Sequence, residues 1–165
     1  MKESRCGVSD ISRYEHSTGN QNGRRTLLPT GVVKALTIYS DVIPLDFKQI
    51  YTDTVNVMIL FKGGYHTDFY PFDGPNAVLA HSNSPGLNQG GDTHFDDDKT
   101  WTLSQRGVNL LLVAAHEFGH PLRLNHSRDR GAMMFPTYQY VNTNGFTLPD
   151  DDRHGVQALN GHETH

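Results

Sequence analysis

The stretch HEFGHPLRLNH, residues 116–126, decides the fold. Its first five residues end GVNLLLVAAHEFGH (107–120), in which Leu110, Leu111, Val113, Ala114 and Phe118 give a helix a broad apolar face. His116 and His120 stand four apart, so on a helix they share one face. Two imidazoles so placed can hold one metal ion, and the adjacent Glu117 can hold a water at its edge. His126 reaches the same ion only if the helix stops and the chain folds back. Three protein ligands leave a fourth zinc position open, which is the hydrolytic rather than the structural arrangement. Zinc there would act as a Lewis acid and lower the pKa of water, with Glu117 taking the proton as the water attacks a carbonyl.

Outward from this stretch, the bulk numbers fit one domain. The chain has 165 residues, 36% of them apolar. A net charge of −4 gives no basic footprint, which argues against a nucleic-acid partner. No apolar run reaches the ~18–20 residues that span a bilayer, and no secretory signal opens the chain. A single cysteine, Cys6, rules out an internal disulfide. Ten histidines are many for this length, and acids cluster at Asp92, Asp96, Asp97 and Asp98 and at Asp150, Asp151 and Asp152. Carboxylates among glycines suit solvated loops and also calcium.

Along the chain, residues 1–26 read as a polar arm with one short strand. Residues 27–42 read as a helix with Val32, Val33, Leu36 and Tyr39 inward, Pro29 at its start and Gly31 weakening it. VNVMILF (55–61) reads as a buried strand, and short strands are expected at 76–81 and 92–95 within a loop-rich stretch. A turn at GAMMFP (131–136) precedes a final helix over 149–161, with acids in its first turn.

With Met134 eight residues beyond His126, the pattern is the metzincin signature. YSDVIPLDF, DFYPFDGP, GGDTHFDDDKTW, NLLLVAAHEFGH, GAMMFPTY and LPDDDRHGVQAL together resemble the catalytic domain of matrix metalloproteinases, over roughly residues 39–161. SRCGVSD (4–10) resembles the cysteine switch that ends the family's propeptide. The resemblance implies an α+β zincin fold, with a twisted mixed sheet of four to five strands and three helices. Residues 1–23 would be a propeptide remnant or disordered arm, and 24–165 the catalytic domain.

The resemblance also implies site residues. His116, His120 and His126 would hold the catalytic zinc, Glu117 would be the general base, and Met134 would lie beneath the metal. Pro136, Thr137 and Tyr138 would wall the S1′ pocket, and Leu79 and Ala80 would pair with extended substrate. His66, Asp68, His81 and His94 would close a second, structural zinc site. Asp73, Gly74, Asn76, Val78 and Asp96 would form a calcium loop, and Asn56, Asn88, Gly90 and Asp92 a weaker second one. Cofactors are then two zinc ions and one or more weakened calcium ions. The implied enzyme is a secreted, monomeric endopeptidase of the extracellular matrix, open to proteinaceous or hydroxamate-type inhibitors. Cys6 keeps two readings, a thiolate that blocks the zinc and a free thiol on a leftover arm.

Several positions depart from the family pattern. Arg123 stands where the family has a glycine at φ > 0, at a cost of about 1–2 kcal/mol. Pro121 follows a ligand inside the expected helix, where proline costs about 3 kcal/mol. Lys99 replaces a calcium-binding glutamate, Asn56 an aspartate, Tyr39 a tryptophan, Asn160 a tyrosine and Arg153 an apolar residue. Ser82 and Asn83 also differ, and the span from Cys6 to Asp41 is shorter than in the family. Two readings stay open: an active endopeptidase, and a catalytically silent zinc-binding domain.

Overall fold

The structure, a computed structural model, describes residues 10–16, 29–50, 57–63, 72, 78–85 and 91–162, the first of these segments as backbone only. Cys6, Asn56, His66, Asp68, Asp73, Gly74, Asn76, Asn88 and Gly90 lie outside the described residues.

Strands β1 (Asp10–His16), β2 (Lys48–Ile50), β3 (Val57–Lys62), β4 (Ala80–Ser82) and β5 (Thr93–Asp96) form one sheet in the order β2-β1-β3-β5-β4. All neighbours are parallel except β4, which runs antiparallel to β5. The mixed, five-stranded sheet is the one expected. The short strand assigned to the polar arm is β1, an inner strand paired to β2 and β3. Backbone pairing on both sides holds it there, a contribution that composition does not reveal. A short pair, β6 (Trp101–Thr102) and β7 (Val108–Asn109), leads into the long apolar helix.

Three helices complete the fold: α1 (Thr30–Ser40), α2 (Leu110–Gly119) and α3 (Asp150–Asn160). Pro29 sits at the start of α1, its carbonyl accepting from the N–H groups of Val32 and Val33. The buried stripe of α1 is Val32, Ala35, Leu36 and Tyr39, while Val33 is 46% exposed. Ala35, not Val33, is therefore the core residue, because positions 32, 35, 36 and 39 share one face of a 3.6-residue turn. Gly31 is a spacer: a Cβ there would lie 3.0 Å from Leu103 Cδ2 and 3.1 Å from Leu110, where α1 crosses the start of α2.

Helix α2 begins three residues later than its periodicity suggests. Gly107 has φ 72°, and Asn109 is the N-cap, its Oδ1 accepting the Leu112 N–H at 3.3 Å. From Leu110 to Ala115 every residue is buried, with Phe118 stacked edge-on to Phe95 of β5. Tyr39, fully buried, donates its hydroxyl to Ala115 O at 2.6 Å and ties α1 to α2. A residue in the place of a tryptophan thus keeps a polar tip with its partner inside the core.

A three-histidine centre above an apolar cleft

The geometry at the end of α2 starts with how the helix stops. Arg123 N–H donates to His120 O at 2.8 Å and Leu124 N–H to Gly119 O at 2.8 Å. With Arg123 at φ 73°, this is a Schellman stop carried by a non-glycine residue. Arg123 is the one non-glycine residue with positive φ among the described residues, at the position where the family resemblance implies glycine. His120 stays in the right-handed helical region (φ −66°, ψ −51°) although Pro121 follows it. The Glu117 carbonyl that an N–H at position 121 would serve already accepts from His120 N–H at 3.2 Å. The proline therefore deprives no carbonyl of its donor, and the turn tightens around it. Asn160 of α3 donates its side-chain amide to Leu122 O at 3.1 Å and to Val156 O at 3.0 Å, pinning the turn from outside.

This turn carries the chain back to His126. One ring nitrogen each of His116, His120 and His126 lie within 4.8 Å of one another, and the ring centroids are 5.0–5.3 Å apart. His116 Nδ1 contacts Met133 O at 2.8 Å, and His120 Nδ1 contacts Leu124 O at 3.1 Å. A carbonyl only accepts, so each Nδ1 carries the proton and each Nε2 presents a lone pair. Burial pushes the His116 imidazole down to about 4, aided by His120 and His126 and opposed by the Met133 carbonyl. Burial also lowers His120. Neutral imidazoles with oriented lone pairs are the donor set that zinc takes, so these residues fit the ion.

Glu117 points into the same space, is 7% exposed, and is pushed up to about 8 by burial. Met134 is buried below, against Gly119, where a Cβ would overlap its Sδ. The turn bearing Met133 and Met134 hangs from Asp152, whose carboxylate accepts both backbone N–H groups, at 2.5 and 2.9 Å. Asp152 is a residue whose role sequence reasoning missed, reading it as one more acid at a helix start. The available signal was phase: Asp152 and the buried Val156 are four apart on α3. Arg153, by contrast, is a surface residue that pairs with Asp150 at 2.7 Å, so its departure from an apolar residue burdens no core.

A cleft of about 740 Å³ opens beside His116 and Glu117. Leu79 and Ala80 border it, Leu112 and Val113 line it, and Pro136, Thr137 and Tyr138 face it from the other side. Tyr138 accepts the Asn109 N–H at 3.1 Å, fastening this wall to the cap of α2. Among the described strands, β4 ends the sheet on this side. Every cleft residue named from sequence lines one space with His116 and Glu117.

The remaining expected metal residues meet a mixed outcome. His81 and His94 are cross-strand partners on β4 and β5, with His81 Nε2 and His94 Nδ1 3.1 Å apart. Two donors so close fit a shared ion, and His66 and Asp68 lie outside the described residues. Asp96, expected in a calcium loop, has its Oδ2 facing the Lys99 ammonium at 3.1 Å. Val78 is 48% exposed just before β4, and Asp92 is partly buried just before β5.

Comparison with known proteins agrees with this geometry. The matrixin peptidase family matches residues 11–161. Matrix metalloproteinase-20 of Homo sapiens is 44% identical over 98% of this chain and 37% of its own length. Macrophage metalloelastase of Oryctolagus cuniculus is 42% identical, and matrix metalloproteinase-18 of Xenopus laevis 43% identical, each over 98% of this chain and 38% of the relative. The chain thus spans well under half the length of these relatives. The alignments run over 177 positions, so the relatives carry residues that this 165-residue chain lacks. The α+β architecture, the His-Glu-x-x-His helix end and the matched span leave one conclusion: the chain belongs to the matrixin family of metallopeptidases.

Proposed function

We propose that this chain is a zinc-dependent endopeptidase that cuts extended protein segments, with apolar side chains seated in the cleft beside His116. The observation that carries this reading is Glu117, a buried carboxyl at the junction of the three imidazoles and the cleft. A purely structural zinc site has no use for such a group. His116, His120 and His126 would hold the ion, which when bound polarises the scissile carbonyl and lowers the pKa of the attacking water.

The other steps belong to the chain. The exposed side of β4 offers backbone groups to an extended substrate, which adds as a further strand beside Leu79 and Ala80. Leu112, Val113 and Tyr138 exclude water around an apolar side chain entering the cleft. Glu117 takes a proton from the water that attacks the carbonyl and hands it to the leaving amine. His81 and His94, with His66 and Asp68, are proposed as the second zinc site. Substrates of the extracellular-matrix type, a secreted location and inhibitors that chelate zinc follow from family membership and are part of the same proposal.

The test is hydrolysis of a quenched fluorogenic peptide with an apolar residue after the scissile bond, in added zinc, comparing the chain with Glu117→Ala. Cleavage that vanishes in the variant supports the enzyme. Equal signals from both, with one zinc bound at the three histidines, would favour the silent zinc-binding reading, for which the strained Arg123 is the motivating observation.

A further inference from the structure

We propose that the Lys99 ammonium is the built-in cation of the Asp96 turn, and that this turn folds without the divalent ion that the family resemblance assigns to it. Asp96 ends β5 with its side chain 0% exposed, and the Lys99 side chain is 3% exposed. Lysine is almost never buried so fully unless it is paired. Its Nζ stands 3.1 Å from Asp96 Oδ2, an oxygen that accepts no directed hydrogen bond among the described residues, so charge alone holds the contact.

The rest of the turn is folded around this pair. Asp96 Oδ1 accepts the Asp98 N–H at 3.0 Å. Asp96 O accepts the Lys99 N–H at 3.3 Å and the Trp101 Nε1–H at 2.8 Å. Asp97 N–H reaches across to Lys62 O at 3.0 Å, joining the turn to β3. Calcium takes about six to eight oxygens at roughly 2.3–2.6 Å. Here one carboxylate oxygen is spent on an amide and the other on an ammonium, which would also repel a divalent ion in a site shielded from water. An ionised carboxylate shielded from water is costly without a counter-charge or several hydrogen bonds, and here the chain supplies the charge covalently.

Trp101 makes the idea directly measurable. It is the one tryptophan in the chain, and its indole touches the Asp96 backbone. Terbium(III), which takes the same oxygen ligands as calcium, emits when a nearby excited indole transfers energy to it. The experiment titrates terbium into the full chain, Lys99→Glu and Lys99→Met, exciting at the red edge of indole absorption where tyrosine is silent. The expected result is background emission from the parent and at least about tenfold more from Lys99→Glu, reversed by excess calcium. Lys99→Met, which keeps the volume and removes the charge, is expected to fall between them. Thermal midpoints follow: calcium raises that of Lys99→Glu by several degrees more than that of the parent.

Parent emission equal to that of Lys99→Glu would overturn the proposal, since an ion would then bind beside the lysine. Background emission from both variants would overturn it too, because the ammonium would not be standing in a cation's place. Variants that fold neither with nor without calcium would have the same meaning. Variants that fold only in calcium or terbium would support it.

Discussion

Two turns in this molecule depart from the family pattern, and they respond in opposite ways. At the end of α2, Arg123 stands where the family resemblance implies glycine, and it adopts the φ of 73° that glycine favours, with both Schellman hydrogen bonds formed. At the end of β5, Lys99 replaces a carboxylate and the chemistry changes, with an ammonium set against Asp96. The difference lies in what holds each turn. The first is held by several backbone hydrogen bonds and by Asn160, so a side chain that dislikes positive φ is overruled at about 1–2 kcal/mol. A coordination sphere has no such redundancy. It depends on net charge at one point, and one residue can reverse that.

Several experiments would break or sharpen this contrast. The largest effect concerns the base. Glu117→Ala is expected to lower peptide hydrolysis by about 10²–10⁴-fold while bound zinc remains, read by single-substrate kinetics beside metal counting.

Next is the support of the methionine turn. Asp152→Ala strands two N–H groups behind the histidine centre and is expected to lose about 2–4 kcal/mol in denaturant unfolding. Retained stability would mean that the Met133–Met134 turn is fastened elsewhere.

Glu117→Gln tests the burial of the base in zinc-free protein. The folded pKa of about 8 lies above the unfolded value of 4.5, so the folded state binds more protons between these limits. Stability therefore falls as pH rises through that window, and the loss is complete above about 8. The amide variant should then be the more stable protein at that pH, by on the order of a few kcal/mol. An advantage independent of pH would show that the carboxyl is better solvated than its burial implies.

Smaller effects probe the α2 turn itself. Arg123→Gly should add about 1 kcal/mol of stability. Asn160→Ala should cost about 1 kcal/mol alone, and less when position 123 is glycine, a coupling that a double-mutant cycle reads. Pro121→Ala is expected to change stability by less than about 1 kcal/mol, well short of the mid-helix figure of about 3 kcal/mol. The reason is that the carbonyl in question already accepts the His120 N–H. A gain near the mid-helix figure would show the proline to be straining the ligand.

Much of the site was legible because its signals are local. His116, Glu117 and His120 are placed by helical spacing, and the positive φ found at 123 is the one the family resemblance implies. The facts that bear on Pro121 and Arg153 are long-range or geometric and invisible in the sequence: a carbonyl already bonded, and a side chain paired at the surface. Val33 was taken for a core residue because an apolar pair at 32–33 hides which member faces α2.

The sequence by itself determined the helix that carries His116, Glu117 and His120 and the spacing of His126, since periodicity and ligand spacing are properties of neighbours along the chain; the α+β zincin architecture and the wall of the cleft came from the resemblance of its motifs to matrix metalloproteinases. Tertiary structure alone decided that β1 runs inside the sheet, that Asp152 carries the methionine turn, that Tyr39 and Asn160 hold α2 from two sides, and that Lys99 faces Asp96. Each of these is a polar group whose partner is set by packing. Burial makes an unpaired donor, acceptor or charge costly, so folding finds a partner wherever one comes within reach, and residue order does not say which one that will be.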